Sequence, residues 1–161
     1  MGRKIILLLL CIAVVCGSAC SRQKAIAGQK DLQEKLTAAI EKKRETDARV
    51  TLRLKDLTTF EWDRFYAFAP YTQPDYICQT LGFNWDNVKE SSISNQDYDF
   101  LLVFVKDGKV VHFHDHPREH GTFYDVVGQT GYTPDEAVFE VTMDQSLAVR
   151  KITVPSALRA Q

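Results

Sequence analysis

Between residues 31 and 49, apolar side chains fall at Leu32, Leu36, Ala39 and Ile40, with Lys and Glu between them. That helical spacing predicts a helix over Asp31–Arg49, started by Asp31 and packed through one narrow stripe. Val50–Leu57 then alternates Val50, Leu52 and Leu54 with Thr51, Arg53 and Lys55, a strand pattern. Trp62–Ala69 is dense in aromatics and predicts a strand buried on both faces, ended by Pro70. Thr72 and Asp75 have capping-box spacing, and Pro74 suits the first turn of a helix carrying Ile77, Cys78 and Leu81. Gly82 stops that helix, with Phe83 placed to close the cap. Asn84–Asp97 is polar and reads as a loop.

Phe100–Val105 and Val110–Asp115 flank Lys106-Asp107-Gly108-Lys109, where Asp-Gly predicts a two-residue hairpin turn. An uninterrupted count from the turn pairs Val105 with Val110, Val103 with His112 and Leu101 with His114. Phe100, Leu102, Phe104, Val111 and Phe113 then form the core face, and the histidines lie on the wetter one. Pro117–Thr133 is a long connection. Ala137–Met143 alternates Ala137, Phe139, Val141 and Met143 inward, and Leu147–Val154 reads as its hairpin partner; Thr133-Pro134-Asp135-Glu136 also fits a helix cap. No internal repeat is evident. The sum is an α+β domain: a mainly antiparallel sheet of about five or six strands with one or two helices packed on one face.

The first twenty residues read differently. Met1–Lys4 is basic, Ile5–Cys16 is apolar, and Gly17, Ser18 and Ala19 are small and precede Cys20. This is the order of a secretory signal peptide, and the apolar run is too short for a transmembrane helix of about 20 residues. Gly17-Ser18-Ala19-Cys20 resembles a bacterial lipoprotein lipobox, although Gly17 stands where that motif favours leucine. The resemblance implies cleavage before Cys20, lipidation of its sulfur and acylation of its nitrogen. Ser21 rather than aspartate after the cysteine implies the outer membrane. The expected organisation is a signal peptide over 1–19, a lipidated terminus and tether over 20–30, and one domain over 31–161.

Charge narrows the partners. Lys and Arg total 20 against 21 Asp and Glu, and loss of Arg3 and Lys4 with the signal leaves a mildly acidic chain. Such a balance lacks a footprint for nucleic acid or a polybasic patch for anionic lipid. Of four cysteines only Cys78 remains in the body once the signal is cut and Cys20 lipidated, so no internal disulfide forms. Its helical neighbours Ile77 and Leu81 predict a buried, unreactive thiol.

All four histidines lie in His112-Phe113-His114-Asp115-His116-Pro117-Arg118-Glu119-His120. Alternate residues on a strand share a face at intervals of about 6.5 Å. His112, His114 and His116, with His120, are therefore candidate ligands for zinc, nickel or copper. The plainer reading is solvated or structural histidines. Asp63 and Arg64 sit inside the aromatic strand, where a charge needs a partner, and Asp63 with Arg118 is a candidate structural ion pair. An enzyme built on Asp63, Arg118 and a histidine would need them to converge in one cleft; no nucleophile, zinc-protease, phosphate-loop or redox motif points to a catalytic residue.

Trp62 through Thr72, Leu81-Gly82-Phe83, Leu101–Val111 and His116-Pro117-Arg118 resemble a pattern in small uncharacterised lipoproteins of Gram-negative bacteria. The helix ending Leu81-Gly82 before a sheet is more distantly similar to small α+β lipoproteins of outer-membrane assembly complexes. The first resemblance implies one compact domain whose fold these residues hold. With the lipobox, the leading expectation is a non-enzymatic, membrane-anchored envelope module that binds another envelope protein. A periplasmic metal-binding protein using His112–His120 is the alternative.

Overall fold

The computed structural model describes residues 30–152; the expected signal peptide, Cys20, most of the expected tether and the end of the last predicted strand lie outside them. Helix α1 covers residues 30–41 and tightens into a 3₁₀ turn over Lys42–Glu45. Asp31 lies within it and pairs with Lys35 one turn on, at 2.8 Å, so it is not the cap. Among the described residues no helix is long and apolar enough to cross a membrane.

The chain is α+β, as expected, but its six strands make two three-stranded antiparallel sheets rather than one. One sheet orders β1 (Val50–Arg53), β5 (Val138–Met143) and β6 (Leu147–Lys151). The other orders β2 (Arg64–Phe68), β3 (Asp99–Lys106) and β4 (Lys109–Pro117). The first predicted strand is shorter than its alternation suggested. At Leu54 the chain turns into a four-residue helix, α2 (Leu54–Leu57), whose first N–H bonds to Ala137 O at 3.1 Å.

The main core lies between the sheets. Leu32, Leu36 and Ile40 of α1 meet Leu52, Phe139, Val141 and Val149 from one sheet and Phe65, Ala67, Phe100, Leu102 and Phe104 from the other. Leu36 is 1% exposed. Truncating such a residue to alanine costs about 2–5 kcal/mol, so α1 is held by this stripe more than by its own propensity. Met143, expected inward, is exposed at the end of β5.

A second cluster covers the outer face of β2–β3–β4 and makes β3 buried on both faces. Its lid is α3 (Pro74–Leu81), with two 3₁₀ turns in the predicted loop, Asp86–Glu90 and Ile93–Asn95. Pro74 occupies the first turn of α3 and Gly82 closes it at φ 82°, as expected. The capping box does not form: Gln73 is the cap residue, and the Thr72 hydroxyl donates to Ala69 O instead.

The connection after β4 stitches both sheets at their edges. Thr122 bridges β6, exchanging bonds with Leu147 O and the Val149 N–H, while Tyr132 exchanges both backbone bonds with Phe65 of β2. Thr133 and Glu136 make a reciprocal capping box, with Thr133 N–H donating to Glu136 Oε2 at 2.9 Å, but the turn ends at Ala137 and passes into β5.

Candidate functional site

The histidines are placed by one extra residue. Asp107 and Gly108 have φ of 49° and 69°, the two positive values a type I′ turn requires, and Val105 faces Val110 as counted. Beyond that pair β4 carries an additional residue, so Phe104 faces His112, Leu102 faces His114 and Phe100 faces His116. A shift of one residue sends every later side chain to the opposite face. Val111, expected in the core, is 46% exposed, and Phe113 packs under Trp85 on the outer face.

His112, His114 and His116 are therefore not on the wetter face but in the core, at 8, 7 and 0% exposure. Phe60, in the connection before β2, stacks on His112 with centroids 4.5 Å apart. His114 and His116 meet edge to face at 5.9 Å, and Phe123 closes against His116 at 5.1 Å. Nε2 of His112, Nε2 of His114 and both ring nitrogens of His116 are buried with no hydrogen-bond partner among the described residues. Each such group carries a desolvation cost of about 1–3 kcal/mol.

Burial is the first cause of their electrostatics. It pushes His112 and His114 down to about 4, helped at His114 by the neighbouring His112. His116 falls to about 3, through burial and then the charges of His114 and His120. Main-chain groups of Gly121 and His120 pull His116 the other way, but neither reaches hydrogen-bond geometry with its ring. All three imidazoles are neutral at pH 7.

His120 is not part of the row. Its Nδ1 lies 3.2 Å from Glu41 Oε1 at the end of α1, and its Nε2 lies 3.6 Å from Glu119. Burial acts to raise the Glu41 carboxyl, but hydrogen bonds and charge from Arg44 and His120 outweigh it and hold the group below its ordinary value. Among the described residues no three His, Cys, Asp or Glu side chains form a group that could hold a metal ion.

Asp63 and Arg118 do not pair. Asp63 Oδ2 accepts the Asp107 N–H at 2.8 Å and Oδ1 lies 3.4 Å from Lys106, at the turn end of the hairpin. Arg118 donates to Asp97 O at 2.7 Å, at its open end. The eight residues of β3 separate the two ends by roughly 25 Å. The convergence an enzyme on these groups would need is absent. Cys78, expected to be buried, is only half-buried at the edge of the outer cluster, with its Sγ 3.9 Å from Asn84 Oδ1.

No local pattern marks Phe60 and Phe123 as covers of the row, or Glu41 as the partner of His120. Those contacts join segments far apart in the chain.

No protein-family model, curated protein or solved structure matches this chain.

Proposed function

We propose that the chain is a lipid-anchored envelope lipoprotein whose folded part serves as a non-enzymatic docking module for another envelope protein. The observation that carries the reading is the order of basic residues, apolar run and Gly17-Ser18-Ala19-Cys20 at the start of the sequence. One acyl chain binds a bilayer marginally, whereas two or more at about 0.8 kcal/mol per buried CH₂ hold stably. Residue 30 already belongs to α1, ten residues beyond Cys20. The intervening chain can span at most roughly 35 Å, which keeps the domain close to the membrane surface.

The docking role draws on exposed aromatics at one end of β2–β3–β4. Tyr71 follows β2, Tyr98 precedes β3, and Tyr124, after β4, packs edge-on to Phe100; they are 59, 62 and 53% exposed. Tyrosine and arginine are enriched where proteins meet, and Arg118 sits at the same end.

Mass spectrometry of the protein from its native host tests the anchor: Cys20 is expected to carry thioether-linked lipid, and Cys20→Ser is expected to move the chain out of the membrane fraction. An unmodified thiol overturns it. Photo-crosslinkers at Tyr98 and Tyr124 in intact cells are expected to capture one discrete partner that a crosslinker at Lys109 does not. Equal labelling from all three sites overturns the docking role.

A further inference from the structure

Three adjacent polar side chains sealed into an aromatic core are unusual, since buried polar groups are nearly always partnered. We infer that His112, His114 and His116 form an acid-operated latch: uptake of protons by the row requires Phe60 and Phe123 to lift off it, opening the inner face of β4 while the outer face stays packed.

The groups around the row leave no other outlet for the charge. β3 presents Phe100, Leu102 and Phe104 to it, and the connection before β2 presents Phe60. The segment after β4 supplies Phe123 and, beyond it, His120. Glu41, from α1, is engaged by His120 and Arg44. Asp115 points to the reverse face of the strand, where Ser91 holds it at 2.8 Å. Among the described residues no salt bridge reaches the row, and the main-chain groups of Gly121 and His120 that favour a charged His116 stand outside hydrogen-bond geometry in the closed state, so a proton arriving there meets mainly apolar rings and other imidazoles.

The sign follows from linkage. An exposed histidine titrates near 6.5, while in the closed state burial holds all three far lower. Closure is fully supported above about pH 7 and loses support as pH falls towards 4, because the open state then binds protons that the closed state refuses. Each histidine contributes up to about tenfold per pH unit to the opening constant, and three acting together up to about 1000-fold.

The two tryptophans stand on opposite faces and separate opening from unfolding. Trp62 packs edge-on to Phe104 beside Phe60, whereas Trp85 packs against Phe113 in the outer cluster. The full-length chain in detergent is titrated from pH 7.5 to 4, once as Trp85→Phe, so that Trp62 reports, and once as Trp62→Phe. Trp62 emission is expected to shift red at higher pH than that of Trp85, with a steepness of two to three protons that falls to about one in His114→Leu/His116→Leu. If the double variant does not fold, His112→Gln is expected to lower the steepness by one proton. Tryptophans that change together, or steepness untouched by the histidine changes, overturn the latch. So does zinc chloride at pH 7.5 if it raises the unfolding midpoint of the parent and not that of the histidine variant, which would make the row a cation site.

Discussion

Asp63 fastens the turn of a hairpin it does not belong to: its Oδ2 accepts the N–H of Asp107 at 2.8 Å, while its own N–H donates to Val105 O at 2.7 Å. The Asp107 N–H, first among the causes, holds the Asp63 carboxyl below its ordinary value, and Lys106 adds to it. Asp63→Ala is expected to lower the melting temperature by a few degrees. Because the principal bond comes from a backbone donor, which an amide oxygen also accepts, Asp63→Asn is expected to recover most of that loss, and added salt to change little. A full salt dependence in the parent would show that Lys106, not the turn, is the main partner.

Gly131 lies directly under the Tyr66 ring. A Cβ there would stand 2.6 Å from Cζ and 2.8 and 2.9 Å from the two Cε atoms, inside any real contact distance. Tyr66 is itself parallel to Phe68 at 6.3 Å, which limits where the ring can go. Gly131→Ala is therefore expected to cost about 1–3 kcal/mol in urea unfolding, the range for forced overpacking. In a Tyr66→Ala background the same change is expected to cost less, and additive losses would mean that the two positions do not clash.

Tyr71 holds φ of 64° with its side chain 59% exposed, and its N–H bonds to Ile93 O at 2.7 Å. A bulky residue in the left-handed region carries strain of about 1–3 kcal/mol. Asparagine adopts that conformation readily, and little packing is lost with an exposed ring. Tyr71→Asn is expected to stabilise the domain by about 0.5–1 kcal/mol in the same assay. A destabilised variant would show that the ring contributes contacts worth more than the strain.

Local signals were the legible ones. The α1 stripe, the positive-φ turn at Asp107-Gly108 and the stop at Gly82 each depend on residues within one turn of each other. The faces of β4 depend on Val111, a residue whose identity gives no hint that it is unpaired. The histidine cluster was thus visible as composition, while its burial was not. The division into two sheets was also out of reach, because β1 finds its partner β5 far along the chain, with Val50 facing Val141. Leu54 fits the strand alternation equally well, and it is the bond from the Thr58 N–H back to Leu54 O, at 3.2 Å, that shows the chain turning into α2 there.

Asp115 supplies a pH dependence opposite in sign to that of its histidine neighbours. It is half-buried on the outer face of β4; burial, the first cause, raises its carboxyl above the ordinary value and nearby Asp99 adds to this, against bonds from Ser91 and the Ser92 main chain. A raised carboxyl favours the folded state fully below the unfolded value of 3.8, and that contribution is lost as pH rises through the folded one. Asp115→Asn keeps an oxygen for the Ser91 hydroxyl and removes the charge. The variant is expected to match the parent near pH 3.5 and become progressively more stable than it as pH rises, levelling off once the parent carboxyl is ionised. Urea midpoints at pH 3.5, 5 and 7 check this. A variant that falls below the parent at pH 7 would mean that the ionised carboxylate holds Ser91 and Ser92 more strongly than its burial costs.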